Sequence, residues 1–190
     1  MSEFKKAMQN YANYVVREAR NNLAKEGKAG GQLDKSLGFE LKQNRGSKGK
    51  FESGYNVEFF MEDYGIYQDL GVKGKDPSKV SPNAKRKGQQ APNSPFKFGS
   101  GKSRGDFKSF TEKMAQFAKK KNIRFRQGQT GKFAKGGYKS MGYVIASNIY
   151  NRGLRPSLFF TKPFEAGITK YDNDIANAYG DDILRQLWVQ

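Results

Sequence analysis

The sequence predicts an α+β fold: an N-terminal helix, a small antiparallel sheet, central and C-terminal helices, and a long basic loop. Three observations predict it. Apolar residues recur at spacings of three and four near both ends of the chain. Two short segments alternate apolar and polar side chains, and a stretch rich in Gly, Pro and Lys interrupts the middle.

Ser2 is a suitable N-cap, and Phe4, Met8, Tyr11, Val15, Ala19 and Leu23 follow as one stripe of an amphipathic helix. Gly27 is a good residue to end it. After the Gly30-Gly31 break, Leu37, Phe39 and Leu41 alternate with polar residues, as do Tyr55, Val57, Phe59 and Met61. A Gly/Ser/Lys turn region between them makes the pair a hairpin. Residues 72–105 hold Pro77, Pro82, Pro92 and Pro95 among glycines and lysines, and read as a long loop or arm within a single domain of residues 1–190.

Asp106 can cap a second helix bearing Phe107, Phe110, Met114 and Phe117, with Lys119, Lys120 and Lys121 at the end where cations complement the helix dipole. Residues 123–139 interleave basic and aromatic side chains around glycines, as in a hairpin or flap. Met141, Val144, Ile145 and Ile149 mark a helix stopped by Gly153. A turn through Leu154, Arg155 and Pro156 then leads to Leu158, Phe159, Phe160, Thr161, Lys162, Pro163 and Phe164, an apolar hook stiffened by its prolines. Such a hook must bury against something, either its own core or another chain. Phe164, Ile168, Tyr171, Ile175, Tyr179, Ile183 and Leu187 give the stripe of a last helix, with Gly180 its weak point.

Composition sets limits on this architecture. Leu, Ile, Val and Phe make up 38 of 190 residues, with a mean hydropathy of −0.86 and a net charge of +17. A chain so polar has a thin core and gains from contacts with other subunits. Residues 85–139 carry 16 basic side chains against Asp106 and Glu112 alone, so the excess charge belongs to one region. The chain has no Cys and no His, which removes disulfides, thiolate nucleophiles, Cys/His zinc sites and His-based proton transfer. No apolar segment is long enough to span a bilayer or resembles a secretory signal, so a soluble protein without a membrane partner is expected.

Three motifs invite a chemical reading. Gly99-Ser100-Gly101-Lys102-Ser103 looks like the end of a phosphate-binding loop, but Phe96 stands where that loop requires glycine and no strand precedes it. Asp63 with Asp69, Asp172 with Asp174, and Asp181 with Asp182 are the carboxylate clusters, and the C-terminal pairs read as the solvated face of a helix. Arg124, Phe125, Arg126, Lys132, Phe133, Lys135 and Tyr138 alternate cations with rings. That pattern suits either nucleic acid, through phosphates and stacking, or a protein partner, through Arg and aromatic anchors.

Four short elements occur in a telling order. Gly31-Gln32-Leu33-Asp34-Lys35-Ser36-Leu37 opens a strand, and Tyr64-Gly65-Ile66-Tyr67-Gln68-Asp69-Leu70-Gly71 follows the second strand. The helix ending at Gly153 and the hook through Phe159-Phe160 and Pro163-Phe164-Glu165 complete the series. In this order the chain resembles the tail-completion and head–tail joining (neck) proteins of tailed bacteriophages. It departs from them in having Asp69-Leu70-Gly71-Val72 after the tyrosines and a longer basic insert.

The resemblance implies a structural virion protein, not an enzyme, working without cofactor or metal as a homo-oligomeric ring (hexamer or dodecamer) at the head–tail junction after assembly in the host cytoplasm. Its partners would be other neck and tail proteins, with packaged double-stranded DNA a further contact. The expected subunit interface is Tyr64, Tyr67, Leu70, Arg155, Leu158, Phe159, Phe160 and Phe164, with the hook packing near the tyrosine segment within the subunit or across to the next. Arg124, Arg126, Lys132 and Lys135 would meet DNA or an acidic partner. A second reading, from the charge alone, is a basic nucleic-acid-binding protein.

Overall fold

The computed structural model describes residues 2–43, 54–82, 84–100, 107–125 and 137–188. The fold is α+β, as expected. Where length alone points to one domain, the chain gathers into two compact units. The terminal unit comprises Met1–Gly65 and Leu158–Gln190, and the central unit Ile66–Ser157.

The terminal unit is built on α1 (Glu3–Lys25). Ser2 caps it as expected, its Oγ accepting from Lys5 N at 3.1 Å. The other end closes with Gly27 at φ +72, Gly27 N donating to Ala24 O and Lys28 N to Leu23 O. That pair of bonds is a Schellman stop, which favours glycine for its left-handed backbone. The buried face holds Phe4, Tyr11, Val15, Ala19 and Leu23, widened by Ala7, Ala12 and Val16, while Met8 is only half-buried.

The Gly31–Leu37 element is a correction to the sequence reading. It forms a single helical turn, α2 (Gln32–Ser36), before the strand rather than the strand's opening. Leu33 plugs into the core, and Ser36 Oγ accepts from Glu62 N at 3.0 Å. The hairpin then forms as read, β1 (Gly38–Gln43) antiparallel to β2 (Tyr55–Phe60), with Phe39 opposite Phe59 and Leu41 opposite Val57. Its turn region lies outside the described residues.

Helix α6 (Thr161–Trp188) runs antiparallel to α1, since Phe4 meets Tyr179 and Asp182 while Tyr11 meets Gly167 and Tyr171. The expected stripe is displaced around the helix. Pro163, Gly167 and Asp182 are buried, whereas Ile168, Tyr179 and Leu187 are exposed. The cause is the Tyr11 ring, which would stand 2.9 Å from a Cβ on Gly167, so the helices meet at glycine rather than at the neighbouring isoleucine.

In the central unit, α4 (Phe107–Lys120) and α5 (Tyr138–Arg152) form a helical pair, each beginning or ending close to where its sequence signals stand. The proposed Asp106 cap lies outside the described residues. A Cβ on Gly142 would come within 2.5 Å of Ala115 N, and Ala118 and Ala146 are fully buried, so small residues let the two backbones approach. Gly153, at φ +95, ends α5 as expected.

The 72–105 stretch is not a free arm over its described residues. Val72–Lys73 (β3) pairs with Gly153–Leu154 (β4), and Lys73 also bonds the chain at Phe96 and Phe98. Asp76 caps a 3-10 turn at Pro77–Lys79, and Ser94 Oγ donates to Gly71 O at 2.7 Å from a buried position. Side chains and nonlocal backbone bonds satisfy the polar groups that helices and strands satisfy elsewhere.

Candidate partner interface

The two units differ in charge far more than the linear reading shows. The central unit holds 21 Lys and Arg against 4 Asp and Glu, and the terminal unit 14 against 14. The whole net charge of +17 therefore belongs to one compact unit. Fields of that sign on one body attract polyanions and repel like bodies.

The residues expected at a subunit interface fall into two groups. Phe159 is only 1% exposed and is the largest fully buried side chain, packed with Val16, Ala19, Leu23, Leu33 and Leu37. It serves its own unit's core and presents no surface to a partner, which corrects its place in the interface set. Phe160 and Phe164 stack at 5.9 Å and close on Phe59, so both are half-buried. Leu158 is half-buried too and has φ +54, a left-handed conformation costing about 1–2 kcal/mol for such a residue.

The remaining members keep more surface. Tyr64 is 45% and Tyr67 44% exposed, beside Ile66 at 46%. Within the central unit Tyr67 packs edge-on against Phe96, Leu70 is half-buried, and Arg155 is exposed. There the tyrosine segment and the turn before the hook lie side by side: Ser157 N and Oγ both donate to Gln68 O, and a Cβ on Gly71 would strike Leu154 O. Large apolar side chains also crowd the end of α6, with Leu184, Leu187 and Trp188 exposed and Trp188 at 85%. Asp182 marks where α1 begins beside α6, so this last turn and a half runs on past the first residues of α1.

Of the cations proposed for DNA or an acidic partner, Arg124 is exposed and bonds Tyr138 Oη at 2.6 and 2.8 Å, with Tyr138 donating to Asn122. Arg126, Lys132 and Lys135 lie outside the described residues. The sequence reading passed over a second pair, Arg86 and Arg152. Arg152 is half-buried at the C-terminus of α5, with its Nε buried and unpartnered. Burial, and then the neighbouring Arg86 guanidinium, push its pKa below the usual arginine range. The signal for this pair was the Lys85-Arg86-Lys87 run, read only as loop charge.

The carboxylates behave less uniformly than expected. Asp63, Asp172, Asp174 and Asp181 are exposed, but Asp69 and Asp182 are buried. Asp182 Oδ2 accepts from Phe4 N at 3.2 Å, adding a second cap to α1. The described part of the phosphate-loop lookalike, Gly99 and Ser100, sits in a turn without a helix behind it, and the rest lies outside the described residues. Among the described residues no three His, Cys, Asp or Glu side chains gather as a metal site, and no helix is long and apolar enough to cross a membrane. Comparison with protein-family models, with curated proteins and with solved structures finds no match to this chain.

Proposed function

We propose that this protein is a structural subunit of a tailed-phage particle, a ring-forming neck or tail-completion component that joins head to tail. The observation that carries the assembly reading is the exposed end of α6, where Leu184, Leu187 and Trp188 stand out on an electrically balanced unit. Covering a tryptophan of this exposure removes roughly 150–250 Å² from water, worth about 4–6 kcal/mol before association costs. The exposed Tyr64, Ile66 and Tyr67 add a second apolar surface. A closing ring needs two unlike patches per subunit, and these are two such candidates.

The purified protein and its Leu187→Ser/Trp188→Ser variant test this by analytical ultracentrifugation and by incorporation into particles. Both side chains are exposed, so the variant keeps its core. Wild type is expected to sediment as a closed oligomer and the variant as a monomer absent from particles. A wild-type chain that stays monomeric at the highest attainable concentration and is missing from particles sinks the proposal. A second reading, a nucleic-acid-binding protein, is favoured by the confinement of all net charge to the central unit.

A further inference from the structure

We infer that Arg86 and Arg152 form a clamp for a phosphodiester group of a nucleic-acid backbone. The inference deepens the second reading above by assigning it a site, and it stands apart from the ring proposal.

The pair is held together by construction. Arg152 is the last residue of α5, and its carbonyl accepts from Gln90 N at 2.8 Å. One residue earlier, Gln89 grips Gly74 in both directions, its Oε1 accepting from Gly74 N at 2.8 Å and its Nε2 donating to Gly74 O at 3.4 Å. A side chain on Gly74 would strike Asn151 O, so only glycine lets this strand lie against the end of α5. Gly88, at φ +71, completes the bend, and Gln90 Nε2 donates back to Lys87 O at 3.0 Å. Two glutamines thus pin the Lys85-Arg86-Lys87 knuckle to the C-terminus of α5, beside Arg152.

A cation at a helix C-terminus has a bland explanation, because the dipole there favours positive charge by about 0.3–1 kcal/mol. That accounts for Arg152 alone. It does not account for a second guanidinium brought beside it, which costs Coulomb energy. Nor does it account for an Nε buried without an acceptor. Arginine cannot relieve either penalty by giving up its proton at working pH.

The anions nearest in kind are already committed or turned elsewhere. Asp69 is buried, and Asp76 accepts from Ser78 and pairs with Lys79. The charge that bears on Arg152 is that of Arg86. An incoming phosphate satisfies all three conditions at once: it neutralises two like charges, accepts from planar N–H forks, and meets exposed Lys85 and Lys87 on the rim. A carboxylate offers the same fork but half the acceptor oxygens, and a backbone of regularly spaced phosphates better fits a unit of this charge. Recognition of this kind reads no base sequence.

The test is fluorescence anisotropy with a labelled random-sequence DNA duplex, titrated at several NaCl concentrations. Wild type is compared with Arg86→Gln/Arg152→Gln and with a charge-matched control in the same unit, Lys119→Gln/Lys120→Gln. The clamp variant is expected to lose about tenfold in affinity at low salt, and its salt slope to flatten by about two, one per lost phosphate contact. The control should lose much less. Arg86→Gln alone changes an exposed residue and guards against misfolding of the double variant. With it, inorganic phosphate at constant ionic strength should raise the thermal midpoint of wild type by more than that of the variant. Equal losses in clamp variant and control overturn the site and leave only a diffuse basic surface. Absence of wild-type binding at low salt overturns the site and the nucleic-acid reading together, while sedimentation of the ring remains a separate question.

Discussion

Tyr11 lies on the buried face of α1 with its ring edge-on to Phe59, Phe164 and Tyr171, and 7% of it is exposed. Burial raises its phenol above the ordinary value of 10.0. The folded state therefore holds the proton more tightly than the unfolded chain. The contribution is intact below pH 10 and is lost as pH climbs through the raised folded value. Urea midpoints measured across pH 10 should fall more steeply for wild type than for Tyr11→Phe, which has no proton to lose. Parallel curves would assign the alkaline loss to the lysines instead. Phe159 teaches the limit of reading at this scale. Its neighbours Phe160 and Pro163 announce burial, but whether the burial is internal depends on Val16, Leu23 and Leu37, remote residues that no local pattern ties to it.

Element by element, legibility followed locality. Helix α1 was readable because its cap, stripe and glycine stop lie within 27 residues of one another, and the hairpin because its alternation repeats on both strands. The face of α6 was not, since Gly167 became the contact only through the Tyr11 ring. Asp182 read as solvated because the amide it caps belongs to Phe4, 178 residues away. The order of residues 72–100 was hidden for the same reason, resting on bonds such as those of Lys73 to Phe96 and Phe98. Gly142 gives the central helices a direct test. A Gly142→Val change puts carbon where Ala115 N and Thr111 O already lie, and should cost about 1–3 kcal/mol by forcing α4 and α5 apart. Hydrogen exchange should show the amides of α4 and α5 losing protection while those of α1 and α6 keep theirs. Uniform loss across all four helices would mean that the two units do not open separately.

Across the whole molecule the division of charge sets up opposite responses to salt. The terminal unit is balanced and carries exposed ion pairs, among them Arg17 with Glu18, Lys28 with Glu26, and Lys42 with Glu58. Pairs of this exposure contribute little and lose part of that little when screened. The central unit carries the entire excess of +17 and one described ion pair, Lys79 with Asp76. Without a polyanion its cations repel one another, and added salt relieves the repulsion. Raising NaCl toward physiological strength, where the screening length falls to about 8 Å, should therefore strengthen exchange protection in α4 and α5. Protection in α1 and α6 should hold level or slip. Short duplex DNA at low salt should reproduce the effect in the central unit, because it supplies the missing anions directly. Protection of α4 and α5 that falls with salt would show that self-repulsion does not limit the central unit. The concentration of charge there would then be a property of its surface alone, with no hold on its stability.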